Sequence, residues 1–237
     1  MSGFIDFHSH VLPGIDDGSA SLEESIGMLR RMAGQGITHV VATPHFYANY
    51  DNPEKFLKRR NEAEDRLREE MSKHSGLPEL SVGAEVYFFS GISDCDALLQ
   101  LTIAQKGCIM LEMKSSPWDT YALREVEGIN SKLGLTPIIA HVDRYIRPFR
   151  TYGIPEQLQQ LPVLVQANAS FFLNRSTGNM AMRMLKKGQI HLLGSDCHDL
   201  EQRPPRLGEA ISHIRSHGGG RALEQMDALG RELIFTK

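Results

Sequence analysis

An α/β architecture, a distorted (β/α)7 TIM-like barrel, is what the sequence predicts, on three observations. Short apolar runs alternate with longer amphipathic ones, strand ends recur roughly every thirty residues, the size of one βα unit, and chemically able side chains stand where the runs end. Alternation of this kind implies a parallel sheet, and runs this short and apolar suit a closed sheet better than an open one. In such barrels the chemistry collects at the C-terminal ends of the strands, so what ends each run carries the functional reading.

The first run is FIDF (4–7), continued by HSH. Side chains alternate faces along a strand, so Asp6, His8 and His10 point one way while Phe7 and Ser9 point the other. The same alternation suits a solvated edge strand, and this stretch alone leaves both readings open. Ser21 and Glu24 then form a capping-box pattern ahead of Leu22, Ile26, Leu29 and Ala33, with Gly34 and Gly36 as stop signals, which predicts the first helix. The second run, HVVAT (39–43), is followed by His45. From Pro53 to about Lys73, mixed charges surround a sparse stripe of Phe56, Leu57, Leu67 and Met71, the pattern of a solvated helix face.

LSVGA (80–84) leads to Glu85, and CIMLE (108–112) ends in Glu112. A helix over 118–133 precedes PIIAH (137–141), which ends in His141. Another short helix at about 155–160 precedes VLVQA (163–167), which ends near Asn168 and offers no metal ligand. A helix at about 178–187 leads to IHLLGS (190–195), followed by Asp196 and His198. One more helix spans 205–217, and Gly218 to Gly220 read as a turn before a C-terminal helix. No exact repeat, low-complexity tract or linker interrupts the series, so residues 1–237 read as a single domain.

Bulk properties narrow the function classes. A formal charge of -3 argues against a general electrostatic grip on nucleic acid or anionic membrane. No apolar window is long enough to cross a bilayer, and MSGFIDF lacks the basic start and apolar core of a secretory signal, so the expected location is the cytoplasm. Cys95, Cys108 and Cys197 are odd in number, widely spaced and without a CxxC pair, which argues against a disulfide framework or zinc ribbon.

His8, His10, His45, His141 and His198 therefore converge on one rim with Glu85, Glu112 and Asp196. His39 and His191 stand at strand starts, on the opposite rim, and His74, His213 and His217 lie in or beside helices; these five are structural or surface residues. Imidazoles mixed with carboxylates suit zinc, manganese or ferrous iron, and this many ligands imply two or three ions, with Glu85 able to bridge a pair. Such ions acidify a bound water and clamp the attacking and leaving oxygens of an in-line displacement, the equipment of a phosphoesterase or an amide hydrolase. Arg144 in HVDR and Arg203 in HDLEQR lie on loops at the same rim and offer forked donors to phosphate oxygens. The two together favour a phosphate monoester, whose uncatalysed hydrolysis is among the slowest reactions known.

These residues carry a resemblance. FHSHVLPGIDDGSASLEES, ATPH (42–45), GAEV (83–86), LEM (111–113), AHVDR (140–144) and GSDCH (194–198) resemble the polymerase and histidinol phosphatase (PHP) superfamily. Within it, the length and LPGIDDGS resemble the bacterial metal-dependent tyrosine-protein phosphatases of capsule and exopolysaccharide biosynthesis. The resemblance implies a PHP-type barrel and three divalent ions, usually manganese, with iron or zinc as alternatives. It groups His8, His10, Glu85 and Asp196 on one ion. Glu85 would bridge to a second held by Glu112 and His141, while Asp17, His45 and His198 would hold a third. Asp17 enters only through the resemblance, since its Asp-Gly-Ser setting otherwise reads as a turn. Arg144 and Arg203 would bind phosphate and stabilise the transition state while a metal-bound hydroxide attacks phosphorus. The implied substrate is a phosphotyrosine protein, the tyrosine kinase that controls polysaccharide assembly. AHVDR and ATPHF depart from the AHPER and ATPHH of many relatives; His141 and Arg144 persist, whereas Phe46 removes a polar contact and bears on substrate preference.

Three rivals accompany this reading: a small-metabolite phosphatase of histidinol-phosphate type or a cyclic amide hydrolase, a non-catalytic metal-stabilised binding module, and a thiol phosphatase. The last rests on Cys197 to Arg203, which has CX5R spacing, but the loop lacks glycine, carries acids that repel phosphate, and is followed by Pro204. Cys197 reads instead as a small packed side chain.

Overall fold

Nine strands and eight α-helices order the described residues of the computed structural model, which are 3–115, 117–146 and 153–236. All seven runs form strands. β1 (Phe4–Ser9), β2 (Ile37–Ala42) and β4 (Glu79–Val82) pair in the order β1-β2-β4. Two short strands, β3 (His45–Phe46) and β5 (Glu85–Tyr87), begin a second row, β3-β5-β6-β7-β8-β9, with β6 (Cys108–Glu112), β7 (Thr136–Ile139), β8 (Leu164–Asn168) and β9 (Leu192–Gly194). Every pairing is parallel.

β3 and β5 are absent from the sequence reading because Pro44 and Gly83 interrupt what is otherwise one strand in each case. The interruption is bridged by Gly83 N donating to Ala42 O and Glu85 N to Pro44 O, so the two rows form one continuous curled sheet. Its ends approach each other: Asp196 N donates to His8 O (2.8 Å), His10 N to Cys197 O (3.0 Å), and Ser9 bridges Cys197. Gly194 permits this approach, since a Cβ there would lie 2.5 Å from His8 Cβ.

The first helix, α1 (Leu22–Gly34), is capped by Ser21, whose hydroxyl accepts from Glu24 N. α2 (Pro53–Met71) is capped by Asn52, and α3 (Thr120–Leu133) by Asp119. The chain continues through α4 (Ile154–Leu158), α5 (Ala169–Leu173), α6 (Gly178–Lys186), α7 (Leu207–Ser216) and α8 (Gly220–Phe235). The five-residue α5 and the 3₁₀ turns between Ile92 and Gln105 were not legible, being too short for a periodic signal.

Two buried clusters support the sheet. The larger packs helices on it through residues such as Met28, Phe56, Leu111, Val126 and Phe172. A smaller one gathers Ile5, Phe7, Val41, Met110, Ile138 and Ala140 with Ile234 of α8. Met110 lies two residues before Glu112 on the same face of β6, so this apolar layer underlies the polar one.

Candidate metal centre

Asp6, His8 and His10 are fully buried, which excludes the solvated-edge reading of the first strand. The sheet brings all nine sequence-selected ligand candidates into one cluster. His8 Nε2 and His10 Nε2 are 3.2 Å apart, and Glu85 Oε2 lies 3.2 and 3.4 Å from them. Asp196 Oδ1 is 3.6 Å from both imidazoles. His141 Nε2 sits 2.6 Å from Glu85 Oε1 and 3.6 Å from Glu112 Oε1. Asp17 Oδ1 lies 3.5 Å from His45 Nε2 and 3.4 Å from His198 Nε2. The four remote histidines His39, His74, His213 and His217 stand elsewhere, as does His191, which accepts from Val165 N.

This donor set fits divalent ions. Ligands about 2.1 Å from a shared tetrahedral centre lie about 3.4 Å from one another, close to the spacings found here other than the shorter His141–Glu85 contact. Three subsets have their ligand atoms mutually within 4.8 Å: His10, Asp17, His45 and His198; His8, His10 and Glu85; His45, Glu85 and Glu112. Among the described residues, His198 Nε2 and His45 Nδ1 are buried without a hydrogen-bond partner, a costly state unless a cation takes their lone pairs.

Two ligand candidates have left-handed backbones, His141 (φ 32°) and Asp196 (φ 52°). Each costs about 1–2 kcal/mol for a residue bearing a Cβ and persists only where its surroundings over-determine it. Gln166 Oε1 accepts from His141 N at 2.6 Å, and Asp196 is held from its own N–H by His8 O. The turned backbone swings both side chains toward the cluster.

The sequence profile of the family described as capsular polysaccharide synthesis, CpsB/CapC, matches residues 4–230. The chain belongs to the CpsB/CapC family. Among curated relatives, the tyrosine-protein phosphatase CpsB of Streptococcus agalactiae is 28% identical over 232 residues, spanning 92% of this chain and 93% of that protein. The tyrosine-protein phosphatase YwqE of Bacillus subtilis is 28% identical over 220 residues, 91% of this chain and 85% of that one. A chain from the solved structures of YwqE from Bacillus subtilis and CpsB from Streptococcus pneumoniae, described as metal-dependent tyrosine phosphatases, superposes with a TM-score of 0.83. That match is 22% identical and covers 97% of this chain and 94% of the other; it is a likeness of fold.

In this CpsB/CapC chain the ligand candidates are oriented by residues that sequence reading did not select. Asp16, not Asp17, is the inward member of the Asp-Asp pair: its side chain is 6% exposed against 67%. Its carboxylate accepts from His10 Nδ1 (2.7 Å), His45 N (3.0 Å) and Gly18 N (3.0 Å). Burial opposes its charge, but the contact with His10 outweighs this and holds the carboxyl at about 2. Burial likewise opposes charge on His10, yet Asp16 and Glu85 raise it to about 10. Glu85, penalised by burial, is kept well below the usual carboxylate range by His8 and the three other imidazoles around it. His198 falls to about 4 through burial and through repulsion from His10 and Arg203.

The sixth run, without a ligand, supplies orienting groups instead: Gln166 Oε1 faces His8 Nδ1 (3.3 Å), and Asn168 Nδ2 donates to Asp196 Oδ2 (2.8 Å). The alternation of Gln166 and Asn168 in VLVQAN was the available signal.

Both arginines reach the cluster. Arg144 pairs with Asp196 and lies 3.5 Å from Glu112, and Arg203 Nη2 lies 2.8 Å from Asp196 Oδ1, an ion pair without hydrogen-bond alignment. They are 39% and 38% exposed and line a cleft of about 450 Å³ with Asn168, Ser170 and Asp196.

One expectation is corrected. Phe46 does not border the site: it is 1% exposed and packs on Phe56 at 5.1 Å, because strand alternation turns it away from His45. Asp143 is a buried structural acceptor for Asn168 N (3.1 Å). Cys197 is fully buried, and burial pushes its thiol well above the usual range, opposite to what a nucleophilic thiolate needs.

Proposed function

We propose that this CpsB/CapC-family chain is a metal-dependent phosphomonoesterase, a protein-tyrosine phosphatase of capsular or exopolysaccharide biosynthesis. The observation that carries the reading is the placement of two half-exposed guanidiniums beside nine converging imidazoles and carboxylates. The relatives named as tyrosine-protein phosphatases support the substrate class. The curled parallel sheet is read as a seven-unit barrel of PHP type, forming one domain over residues 1–237.

In this reading His8, His10, Glu85 and Asp196 would hold one divalent ion, Glu85, Glu112 and His141 a second, and Asp17, His45 and His198 a third, with manganese the first candidate. Such ions supply an acidified water and neutralise charge on the leaving oxygen. The chain's own residues do the rest. Arg144 and Arg203 hold the phosphoryl oxygens with forked hydrogen bonds. Asp16, Gln166 and Asn168 fix the ring and carboxylate orientations. The exposure of both guanidiniums suits a phosphate presented on a protein surface over a small metabolite drawn into a closed pocket. The substrate is a tyrosine-phosphorylated protein, with the kinase of polysaccharide assembly as the first candidate, and the site of action is the cytoplasm.

Hydrolysis of an aryl phosphate and of a phosphotyrosine peptide, by protein stripped with chelator and then loaded with manganese, tests this. Turnover that requires the metal is expected. A protein that binds manganese at these residues yet hydrolyses neither ester is the binding module instead.

A further inference from the structure

Strand alternation repeats every two residues, so the residue two beyond an inward-facing group stands above it on the same wall. His45 and Glu85 are register partners in the β3–β5 pair, and two residues beyond them stand Tyr47 and Tyr87. Their rings are 5.7 Å apart and tilted by 44°, and Tyr47 lies 5.3 Å from the His45 ring. The wall over Glu85 is therefore aromatic, whereas the residue two beyond Glu112 is Lys114 and that beyond Asp196 is His198. Tyr47 is not core: it is 37% exposed, while its neighbour Phe46 is 1% exposed. It opens onto a cleft of about 510 Å³ bordered by Asp17, His45, Tyr50 and Arg59, which shares no lining residue with the cleft of Arg144, Asp196 and Arg203.

We propose that Tyr47, backed by Tyr87, is a specificity-determining residue that receives the phenyl ring of a phosphorylated tyrosine. The inference rests on the phosphomonoesterase reading. With the phosphoryl oxygens on Arg144 and Arg203, the ester oxygen faces away from the guanidiniums toward His45, and the group attached to it meets Tyr47. Tilted and offset aromatic pairs are favoured beyond the area they bury. An alkyl ester has no ring to place there.

The test is calorimetric binding of phenylphosphonate and methylphosphonate, neither of them hydrolysable, to the manganese-loaded protein. Tyr47→Ala should weaken phenylphosphonate roughly 3- to 10-fold while leaving methylphosphonate within about twofold. Tyr47→Leu, which keeps bulk without an aromatic face, should behave similarly, and Tyr47→Phe should restore phenylphosphonate binding. Equal weakening of both ligands, no weakening of either, or a wild-type protein that binds the two alike overturns the proposal. Absence of aryl phosphate turnover would sink the phosphomonoesterase reading separately, because this binding comparison needs no hydrolysis.

Discussion

Truncating Asp16 to alanine should weaken metal binding without removing a ligand. The side chain is 6% exposed and accepts three hydrogen bonds, the shortest from His10 Nδ1 at 2.7 Å. Its loss leaves that ring nitrogen, buried with 0% of the His10 side chain exposed, with no group to fix its tautomer. Losing an outer partner of this kind typically costs 10- to 100-fold in metal affinity, or about 1.4–2.7 kcal/mol at 1.36 kcal/mol per decade. Manganese titration of chelator-treated protein by calorimetry should show that shift with an unchanged number of ions bound, and hydrolysis should recover at high manganese. Asp17→Ala is the comparison: the Asp17 side chain is 67% exposed, its Oδ1 lies 3.5 Å from His45 and 3.4 Å from His198, and loss of this proposed ligand should lower the number of ions. If Asp16→Ala binds manganese as tightly as the wild type, the orienting role is refuted. If it instead loses an ion while Asp17→Ala does not, the two aspartates have been assigned the wrong way round.

Arg144→Ala and Arg203→Ala should each lower kcat/KM for an aryl phosphate by about 100-fold with manganese content intact, the usual cost of removing one donor from a developing charge. Lysine at either position should recover only part, having charge but no fork; unchanged kcat/KM in either alanine variant would remove that arginine from the clamp. Cys197→Ser should keep its turnover, and the wild type should resist iodoacetamide at neutral pH because burial holds the thiol well above its usual range. Loss of turnover in Cys197→Ser with metals still bound would restore the thiol mechanism. His191 accepts from Val165 N at 3.0 Å, and burial lowers its pKa, so the folded state takes up a proton less readily than the unfolded one. Stability of chelator-treated protein should therefore fall as pH drops below about 6.5. His191→Asn, which can accept the same N–H, should flatten that slope in urea unfolding; an unaltered slope contradicts the assignment.

The amino-acid sequence by itself determined the alternation of strands and helices, because apolar periodicity and caps such as Ser21 are local properties. It also selected the ligand candidates, since chemistry at the C-terminal ends of parallel strands is a positional rule that needs no coordinates. Only the tertiary structure decided which way adjacent residues face. The Asp16–Asp17 pair is symmetrical as a string of letters, and the turn that buries Asp16 against His10 depends on a partner six residues away whose own position is set by β1. Phe46 adjoins a ligand candidate in sequence, yet the pleat turns it into the core. The left-handed backbones of His141 and Asp196 could not be read locally either, because Asp and His, though enriched there among residues with a Cβ, adopt that region only uncommonly. They are imposed by the sheet: Gln166 on the neighbouring strand holds one and the backbone of His8 the other.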